Sequence, residues 1–201
     1  MCGRYHLAGL DSWQVEEYLR MVSEFNHKIE VPPNHDALKI SGDIFPSNKA
    51  PIIANNTHLE PNLFTMQWGY TLKSSKKLVI NARSETASEK YMFKTGMSQR
   101  RCLVPALLYY EWEKSADKKI KHAIFMKDEE NLFMAGIYRI EDNIPKFTIL
   151  TRPAAPNISF IHDRMPVVLP LSAQKDWLNI KINANTIIGR ACDDMIHKID
   201  E

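Results

Sequence analysis

Residues 102–138 read CLVPALLYYEWEKSADKKIKHAIFMKDEENLFMAGIY, and the pattern of this segment indicates the fold class. Its apolar runs are short and rich in β-branched and aromatic residues, and turn-forming groups such as Ser115-Ala116-Asp117 separate them. These features are typical of short β-strands. Working outward from this stretch, we predict strands over residues 63–70, 77–80, 102–107, 109–113, 122–126, 132–138 and 147–151.

Helices are predicted mainly towards the two flanks of this strand-rich centre. Residues 84–101 are predicted as a helix that Ser84 or Thr86 opens and that is interrupted near Gly96. Other helices are predicted near Asp11, around Trp177 and over 186–198. The fold class is therefore α+β, with a mostly antiparallel sheet that curls towards a barrel and helices at its flanks.

Length and composition set the broad class of the protein. The chain has 201 residues, which suits one compact domain over residues 1–201, and we expect a monomer. The net charge is +2, so any nucleic-acid contact must come from a local basic patch. The chain has neither a long apolar segment nor an N-terminal signal core, which predicts a cytoplasmic protein without a membrane anchor.

The three cysteines are Cys2, Cys102 and Cys192. An odd count without a secretion signal argues against a disulfide framework. The sequence has no C-x-x-C or H-x-x-x-H spacing, so we expect no metal site and no cofactor. Cys102 and Cys192 are interpreted as small buried residues.

Cys2 differs because of its place in the chain. Its small side chain allows removal of the initiator Met, which would leave an α-amine and a thiol on one residue. The amine has a reference pKa of ~7.8, against ~10.4 for lysine, so roughly 400 times more of it is unprotonated at pH 7. Such an amine can form a Schiff base with an aldehyde, and the thiol can then close a thiazolidine ring. An incidental residue at a frayed terminus is the plainer interpretation, and position alone favours it.

A second candidate segment reads INARSET, over residues 80–86. It joins the end of an apolar strand to the start of a predicted helix. The Asn81 amide could orient a nearby amine, and Arg83 could bind a phosphate at the helix N-terminus. A purely structural alternative is a capping box, in which a hydroxyl residue caps the helix and Glu85 interacts with its dipole.

Two further segments carry a carboxylate and an imidazole. On a strand over 109–113, Glu111 points to the side opposite Trp112, and a carboxylate in aromatic surroundings can shuttle protons. An exposed Glu on a half-buried strand is an equally good interpretation. His162 is a candidate general acid, and Arg164 is a candidate phosphate contact. The alternative for these two is a polar turn before a strand.

Together these residues supply a nucleophile, an amide, a carboxylate and an imidazole. This set suits Schiff-base chemistry. It also fits a cysteine hydrolase, and the spacing of the residues does not decide between the two.

Six motifs, in order along the chain, resemble the SOS response-associated peptidase (SRAP) family of abasic-site processing proteins. Any one is modestly specific, but six in order are highly specific. They are Met1-Cys2-Gly3-Arg4-Tyr5, Trp68-Gly69-Tyr70, Asn81-Ala82-Arg83-Ser84-Glu85-Thr86, Arg101-Cys102-Leu103-Val104-Pro105-Ala106, Tyr110-Glu111-Trp112 and His162-Asp163-Arg164-Met165-Pro166.

The resemblance implies a single SRAP domain with a β-barrel-like core, acting in DNA repair. It implies that Cys2, after Met1 removal, attacks the ring-opened aldehyde of an abasic site in single-stranded DNA and forms a thiazolidine crosslink. Self-processing of the residue before this Cys and abasic-site lyase activity are also implied.

The resemblance further assigns roles residue by residue. Asn81 would hold the amine and sugar near Cys2, Glu111 would move protons, and His162 would donate a proton as the sugar ring opens. Trp68 and Trp112 would shape the site, with stacking on a base or sugar as one option. The remaining DNA contacts, to phosphates, would come from Arg4, Arg83 and Arg164.

The chain departs from the family pattern at three places. Residues 70–77 replace the usual proline and tryptophan, Asp43 stands where an asparagine is usual, and the end lacks the usual Val-Asn-rich closing strand. Two other functions stay open. One is a cysteine peptidase or amidohydrolase that acts on other chains, and the other is a non-catalytic single-stranded DNA binding module.

Overall fold

The computed structural model describes residues 2–7, 41–72, 75–114, 118–127 and 131–200, so the helix predicted near Asp11 lies outside it. Strands dominate the described part of the chain. They are β1 (Tyr5–Leu7), β2 (Gly42–Ile44), β3 (Lys49–Asn55), β4 (Pro61–Trp68), β5 (Tyr70–Leu72), β6 (Ser75–Val79), β7 (Asn81–Arg83), β8 (Arg101–Ala106), β9 (Leu108–Lys114), β10 (Lys119–Met126), β11 (Leu132–Glu141), β12 (Ile144–Pro153), β13 (Arg164–Pro166) and β14 (Met195–Ile199). The helices are α1 (Ser84–Ala87), α2 (Tyr91–Gln99), α3 (Leu171–Leu178) and α4 (Ala184–Ile188).

Five strands close into a barrel in the order β3, β4, β12, β11 and β8, which pairs with β3 again. Neighbouring strands are antiparallel except β4 and β12, which run parallel where Trp68 lies opposite Phe147. The strands β7 and β13 pair with the second half of β12. Closure pairs the edges that an open sheet would expose. The predicted barrel-like, mostly antiparallel core is confirmed.

A second antiparallel sheet has the order β14, β10, β9, β1 and β2. Tyr5 of β1, Tyr109 of β9 and Ile124 of β10 are buried in the same apolar cluster as the barrel interior. Cys2, three residues before Tyr5, belongs to this cluster as well. The sheet therefore brings the start of the chain against the barrel core.

The alternation along β8 shows why the central stretch is apolar without interruption. Cys102 and Val104 point into the barrel cluster, whereas Leu103 belongs to a second cluster that includes Trp177 of α3 and Met97 of α2. Successive side chains of a strand point to opposite faces. Because the helices cover the outer face of β8, both faces are buried and both need apolar residues.

The helix predicted over 84–101 is divided at a different place from the one expected. The structure has α1 and α2 separated by residues 88–90, and Gly96 lies inside α2. A Cβ on Gly96 would come within 2.9 Å of the Cβ of Ile137. Gly96 therefore allows α2 to pack closely against β11 instead of breaking the helix.

The prediction of a helix over 186–198 is wrong. The helix α4 ends at Ile188, and β14 pairs antiparallel with β10 from Met126 opposite Met195 to His122 opposite Ile199. The end of the chain therefore does form a strand, although the β14 sequence, Met195-Ile196-His197-Lys198-Ile199, is not Val-Asn-rich. An available sheet edge on β10 decides the conformation of this segment, because its local pattern is compatible with either state.

Gly69 links β4 to β5 with φ +107°, in the left-handed region that favours glycine. A Cβ at this position would come within 2.9 Å of the Leu78 Cβ. The turn directs Trp68 into the core, and the Gly69 N–H donates to the Phe147 carbonyl at 2.8 Å.

In the part of the chain that the structure describes, no helix has the length and apolar character needed to cross a membrane. The single domain over residues 1–201 stays a prediction.

Candidate active site at the N-terminus

Cys2 is held in place by the barrel and the second sheet together. Because β1 runs antiparallel to β9, the chain before Tyr5 runs towards the second half of β9, and the Tyr110 N–H donates to the Arg4 carbonyl at 2.9 Å. The Cys2 side chain is fully buried, and its Sγ lies 3.7 Å from the Arg4 carbonyl oxygen. Cys2 is therefore an ordered part of the core and not a frayed end.

Asn81 ties Cys2 to the barrel. It is the first residue of β7, which pairs with β12 so that Asn81 lies opposite Ile149. Its Nδ2 donates a hydrogen bond to the Cys2 carbonyl at 2.8 Å. The Asn81 Oδ1 is buried and accepts no hydrogen bond from any residue that the structure describes. One end of the amide thus positions Cys2, while the other retains an acceptor beside it.

Glu111 is a carboxylate buried on the same side of β9 as Tyr109, with a residue exposure of 3%. Burial raises its pKa from 4.5 to about 6, and the positive charge of the amino terminus opposes that increase. Burial also raises the pKa of the Cys2 thiol well above its usual range, and the negative charge of Glu111 adds to this effect. The thiol is therefore neutral in the resting protein.

His162 lies in the segment between β12 and β13. Its Nδ1 accepts a hydrogen bond from the Arg164 backbone N–H at 3.0 Å and lies 2.8 Å from the Asp163 carboxylate. The charge of Asp163 acts on Glu111 and raises its pKa further, so this segment borders the Glu111 pocket. The fold thus gathers Cys2, Asn81 and Glu111 and brings the His162 segment to their edge.

Arg4 and Trp112 lie on the other face of β9. The Arg4 guanidinium is 4.5 Å from the Phe45 ring centroid and 5.4 Å from that of Trp112, within cation–π range. It also forms an ion pair with Asp43 at 3.5 Å. Trp112 and Glu111 alternate along the strand, so this aromatic and basic surface is separate from the Glu111 pocket.

Asp43 holds this surface together. Its carboxylate lies 2.8 Å from His6 Nδ1 and accepts a hydrogen bond from the Tyr110 hydroxyl at 3.2 Å. Partial burial acts to raise the pKa of Asp43, but the hydrogen bonds from His6 and Tyr110 and the charges of His6 and Arg4 outweigh it and lower the pKa. The carboxylate therefore binds and orients these neighbouring side chains, a role that the sequence analysis missed.

The other two predicted arginines have different surroundings. Arg83 is exposed immediately before α1. Arg164 forms a bidentate ion pair with Glu85, with distances of 2.5 and 2.8 Å, and donates to the Thr151 carbonyl at 2.6 Å. Of these two guanidinium groups, Arg83 is the more accessible to a phosphate.

Trp68 does not offer a ring face to DNA, so the structure corrects its expected DNA contact. It has no exposed surface, and its ring stacks at 6.2 Å on Phe147 and at 5.2 Å, tilted, against Tyr5. Its Nε1 donates to the Ile80 carbonyl at 3.0 Å. Trp68 instead packs beneath Tyr5 and supports the start of the chain.

The sequence analysis also missed the tyrosines that enclose Cys2. Tyr5 and Tyr109 are fully buried, and this burial raises the pKa of both hydroxyls. Alternation on β9 could have placed Tyr109 beside Glu111, but the position of Tyr5 depends on the β1–β9 pairing. Among the described residues, no three His, Cys, Asp or Glu side chains are grouped as metal ligands.

Solved structures share this architecture. A protein from Bacteroides thetaiotaomicron matches with a TM-score of 0.81 at 21% identity, covering 100% of this chain and 92% of that one. A protein from Bordetella bronchiseptica matches with a TM-score of 0.76 at 25% identity, covering 100% of both chains. These likenesses define the fold class independently of the motifs.

The sequence model described as SOS response associated peptidase (SRAP) matches residues 1–197, and the chain belongs to this family. Abasic site processing protein YedK from Escherichia coli is 31% identical over 204 residues, covering 96% of this chain and 87% of YedK. Abasic site processing protein YoqW from Bacillus subtilis is 30% identical over 197 residues, covering 90% of this chain and 81% of YoqW. Abasic site processing protein HMCES from Xenopus tropicalis is 24% identical over 174 residues, covering 67% of this chain and 52% of HMCES.

Proposed function

We propose that this protein processes abasic sites by covalent capture, using Cys2 after removal of Met1. The names of its SRAP relatives support abasic-site processing in general. The observation that carries the covalent step is the placement of Cys2: Asn81 holds its carbonyl at 2.8 Å, and the buried Glu111 carboxylate acts electrostatically on its thiol.

The reaction begins with the amine, because the thiol is neutral in this pocket. The α-amine of Cys2 adds to the C1′ aldehyde of the ring-opened sugar, and loss of one water gives a Schiff base. The thiol sulfur then adds to the imine carbon and its proton passes to the nitrogen, which closes the thiazolidine. Nothing is oxidised or reduced, and one water is released overall.

Glu111 is suited to move the protons in these steps. With a pKa of about 6 it is mostly ionised at neutral pH, yet close enough to neutrality to gain and lose a proton. It can take a proton from the attacking amine and return it to the departing hydroxyl. The same group would assist hydrolysis of the Met1–Cys2 bond, which is the peptidase step that we assign to self-processing.

We assign sugar ring opening to His162 through Nε2. Its Nδ1 is already engaged by the Arg164 backbone N–H at 3.0 Å and the Asp163 carboxylate at 2.8 Å, so we assign the proton transfer to the other ring nitrogen. A Schiff base that the thiol does not close could instead lose its 3′ phosphate by β-elimination, and we assign abasic-site lyase activity to this route.

The substrate that fits this site is single-stranded DNA, because the abasic sugar must reach a buried residue. Exposed Arg83 would bind a phosphate, and the surface formed by Arg4, Phe45 and Trp112 would contact the strand on the other side of β9. Arg164 would contribute only when Glu85 releases it. A monomer and a cytoplasmic location remain predictions.

The test uses protein whose mass confirms complete Met1 removal, mixed with a single-stranded oligonucleotide carrying one abasic site. We expect a heat-stable band on a denaturing gel and an intact mass equal to protein plus DNA minus one water. Cys2→Ala should lose the band. Cys192→Ala, which changes a cysteine outside the site, should keep it.

Three results would overturn the proposal. Fully processed parent protein that forms no adduct excludes covalent capture. An equal affinity for intact and abasic DNA, unaffected by Cys2→Ala, would favour the non-catalytic binding module, and turnover of unrelated peptides would favour a peptidase acting on other chains.

A further inference from the structure

A group of titratable side chains lies next to Glu111 on the same face of the second sheet. His122 of β10 lies directly opposite Glu111 of β9 in the antiparallel register. Side chains at directly opposed positions point to the same face, with Cβ atoms about 4.5–5.5 Å apart. His122 is 2% exposed and Glu111 is 3% exposed, so the two are buried neighbours.

His122 is tied to two further groups. Its Nε2 lies 3.0 Å from the Glu113 carboxylate, and its Nδ1 lies 3.2 Å from the Nδ1 of His197 on β14. The Phe160 ring packs edge-on against both imidazoles, at 6.0 and 5.2 Å between centroids. With both nitrogens engaged, the orientation of His122 is set.

Glu113 matters because it is the second carboxylate on this face. It lies two residues after Glu111 on the same strand, about 6.6–6.8 Å along it, and points to the same side. Its side chain is 28% exposed, so its charge is only partly screened. An unpaired negative charge at this distance would oppose ionisation of Glu111.

We propose that His122 is a positioning residue for the abasic-site reaction, and that it acts through Glu111 by pairing with the Glu113 carboxylate. An imidazole that donates Nε2–H to Glu113 offsets the second negative charge on this face. It also holds Glu113 towards β10. Glu111 then moves protons without an uncompensated charge on Glu113 beside it. This inference rests on the proposed function.

Other titratable groups in the described part of the chain also interact with Glu111. They are the Cys2 thiol and the amino terminus at the start of the chain, Asp163 before β13, and the Tyr109 hydroxyl on β9. The side chain of His122 contacts Glu113, His197 and Phe160, none of which belongs to this set. A change in the titration midpoint of Glu111 when His122 is substituted therefore reports on the His122–Glu113 pair.

The experiment follows the titration of the Glu111 side-chain carboxyl by ¹³C NMR in the full chain, together with the pH profile of adduct formation. We expect His122→Gln to move the Glu111 midpoint upward by about 0.5–1 pH unit, because the Glu113 charge is no longer offset. The double variant His122→Gln with Glu113→Gln should return the midpoint to within about 0.3 unit of the parent.

His197→Gln is the matched control, since it removes the other partner of His122 and leaves the Glu113 pair in place. Its Glu111 midpoint should stay at the parent value. Thermal unfolding of each variant verifies that it folds. The single variant Glu113→Gln supplies a second test, in which the His122 imidazole is retained. Glu113→Gln should move the midpoint downward or leave it unchanged.

An unchanged Glu111 midpoint in folded His122→Gln overturns the inference, as does an upward shift that the double variant fails to reverse. The NMR titration does not depend on DNA. Parent protein that forms no adduct would therefore contradict the proposed function while leaving the role of His122 decided by the titration.

Discussion

Arg101 and Glu111 are both charged side chains buried in the described part of the molecule, with exposures of 5% and 3%, but their surroundings differ. Arg101 lies where β8 meets the C-terminal helices. Its Nε donates to the Met97 carbonyl at 2.7 Å, and its guanidinium donates to the Ile182 carbonyl at 2.9 Å. Its cation also lies 5.1 Å from the Trp177 ring centroid.

Burial disfavours both charges. It lowers the pKa of Arg101, which stays ionised because the usual pKa of a guanidinium lies far above neutrality, whereas it raises the pKa of Glu111 to about 6, close to neutrality. The difference between the two regions shows how a buried charge serves a protein. A charge that is matched by fixed backbone dipoles joins elements together. A carboxylate held near its midpoint at neutral pH can exchange protons, at a cost in stability. Substitutions at the two sites should therefore have opposite consequences.

The largest expected effect concerns stability at the Arg101 junction. Arg101→Met should lower the free energy of unfolding by about 3–5 kcal/mol, because the Met97 and Ile182 carbonyls each lose a charged donor at a cost of roughly 1–3 kcal/mol. Urea unfolding measures this, with Arg100→Met as the neighbouring control, for which we expect a change within about 0.5 kcal/mol. Equal stability of the two variants would contradict the structural role of Arg101.

The next largest effect concerns rate at the N-terminal site. Glu111→Gln should slow adduct formation at pH 7 by about 100-fold, which corresponds to about 2.7 kcal/mol of activation free energy. The comparison variant is Glu89→Gln, on the exposed turn after α1, which should react at the parent rate. A Glu111→Gln rate within twofold of the parent would remove Glu111 from the mechanism.

The pH profile sharpens the same prediction. Below the reference amine pKa of ~7.8, the rate should fall about tenfold per pH unit as the amine is protonated. Below the Glu111 pKa of about 6, protonation of the carboxylate adds a second factor, so the fall steepens. In Glu111→Gln the steeper region should be absent. A parent profile with one uniform slope from pH 7 to 5 contradicts this assignment.

A smaller effect is expected in stability at Glu111, with the sign opposite to that at Arg101. The increase in pKa from 4.5 to about 6 means that the ionised form costs about 2 kcal/mol more in the folded protein. Because the folded pKa is raised, the protonated carboxyl makes a contribution to stability that is fully present below about pH 4.5. This contribution is lost as the pH rises through about 6. Glu111→Gln, which resembles the protonated form, should therefore gain about 2 kcal/mol over the parent at pH 7.5 and little at pH 4.5.

The smallest effect concerns the Glu85–Arg164 ion pair, in which the Glu85 side chain is 44% exposed. Exposure and screening limit its contribution, so Glu85→Gln should lower the free energy of unfolding by no more than about 1 kcal/mol. If Arg164 contacts a phosphate, its release should also tighten binding to single-stranded DNA. Weaker DNA binding by Glu85→Gln would contradict that contact.

Local pattern predicted most of the barrel. The strands around Leu63, Val104, Ala135 and Ile149 were expected from short apolar runs and turn residues, and the structure contains each of them. Local pattern was wrong where two states are equally compatible with the sequence. Residues 195–199 form a strand because β10 offers them a free edge to pair with. Gly96 lies inside a helix, where its lack of a side chain leaves room for Ile137.

The residues of the candidate site likewise fall into those that the sequence identified and those that only the structure could place. Position in the chain singled out Cys2, and the motifs pointed to Asn81 and Glu111, which the fold brings to it. The family resemblance implied that Trp68 shapes the site, with stacking on a base or sugar as one option, and the motif alone does not say whether the ring is buried. Packing against Phe147 shows that it is, and that contact joins strands distant in sequence.

Residue identity and local periodicity were sufficient to indicate the fold class, the chemistry that an N-terminal cysteine permits and the family to which the chain belongs. Strand pairing and packing were needed to show which charges are matched, that His122 lies opposite Glu111 and that Trp68 is buried. The physical reason is that burial and electrostatics depend on neighbours that only strand pairing brings together.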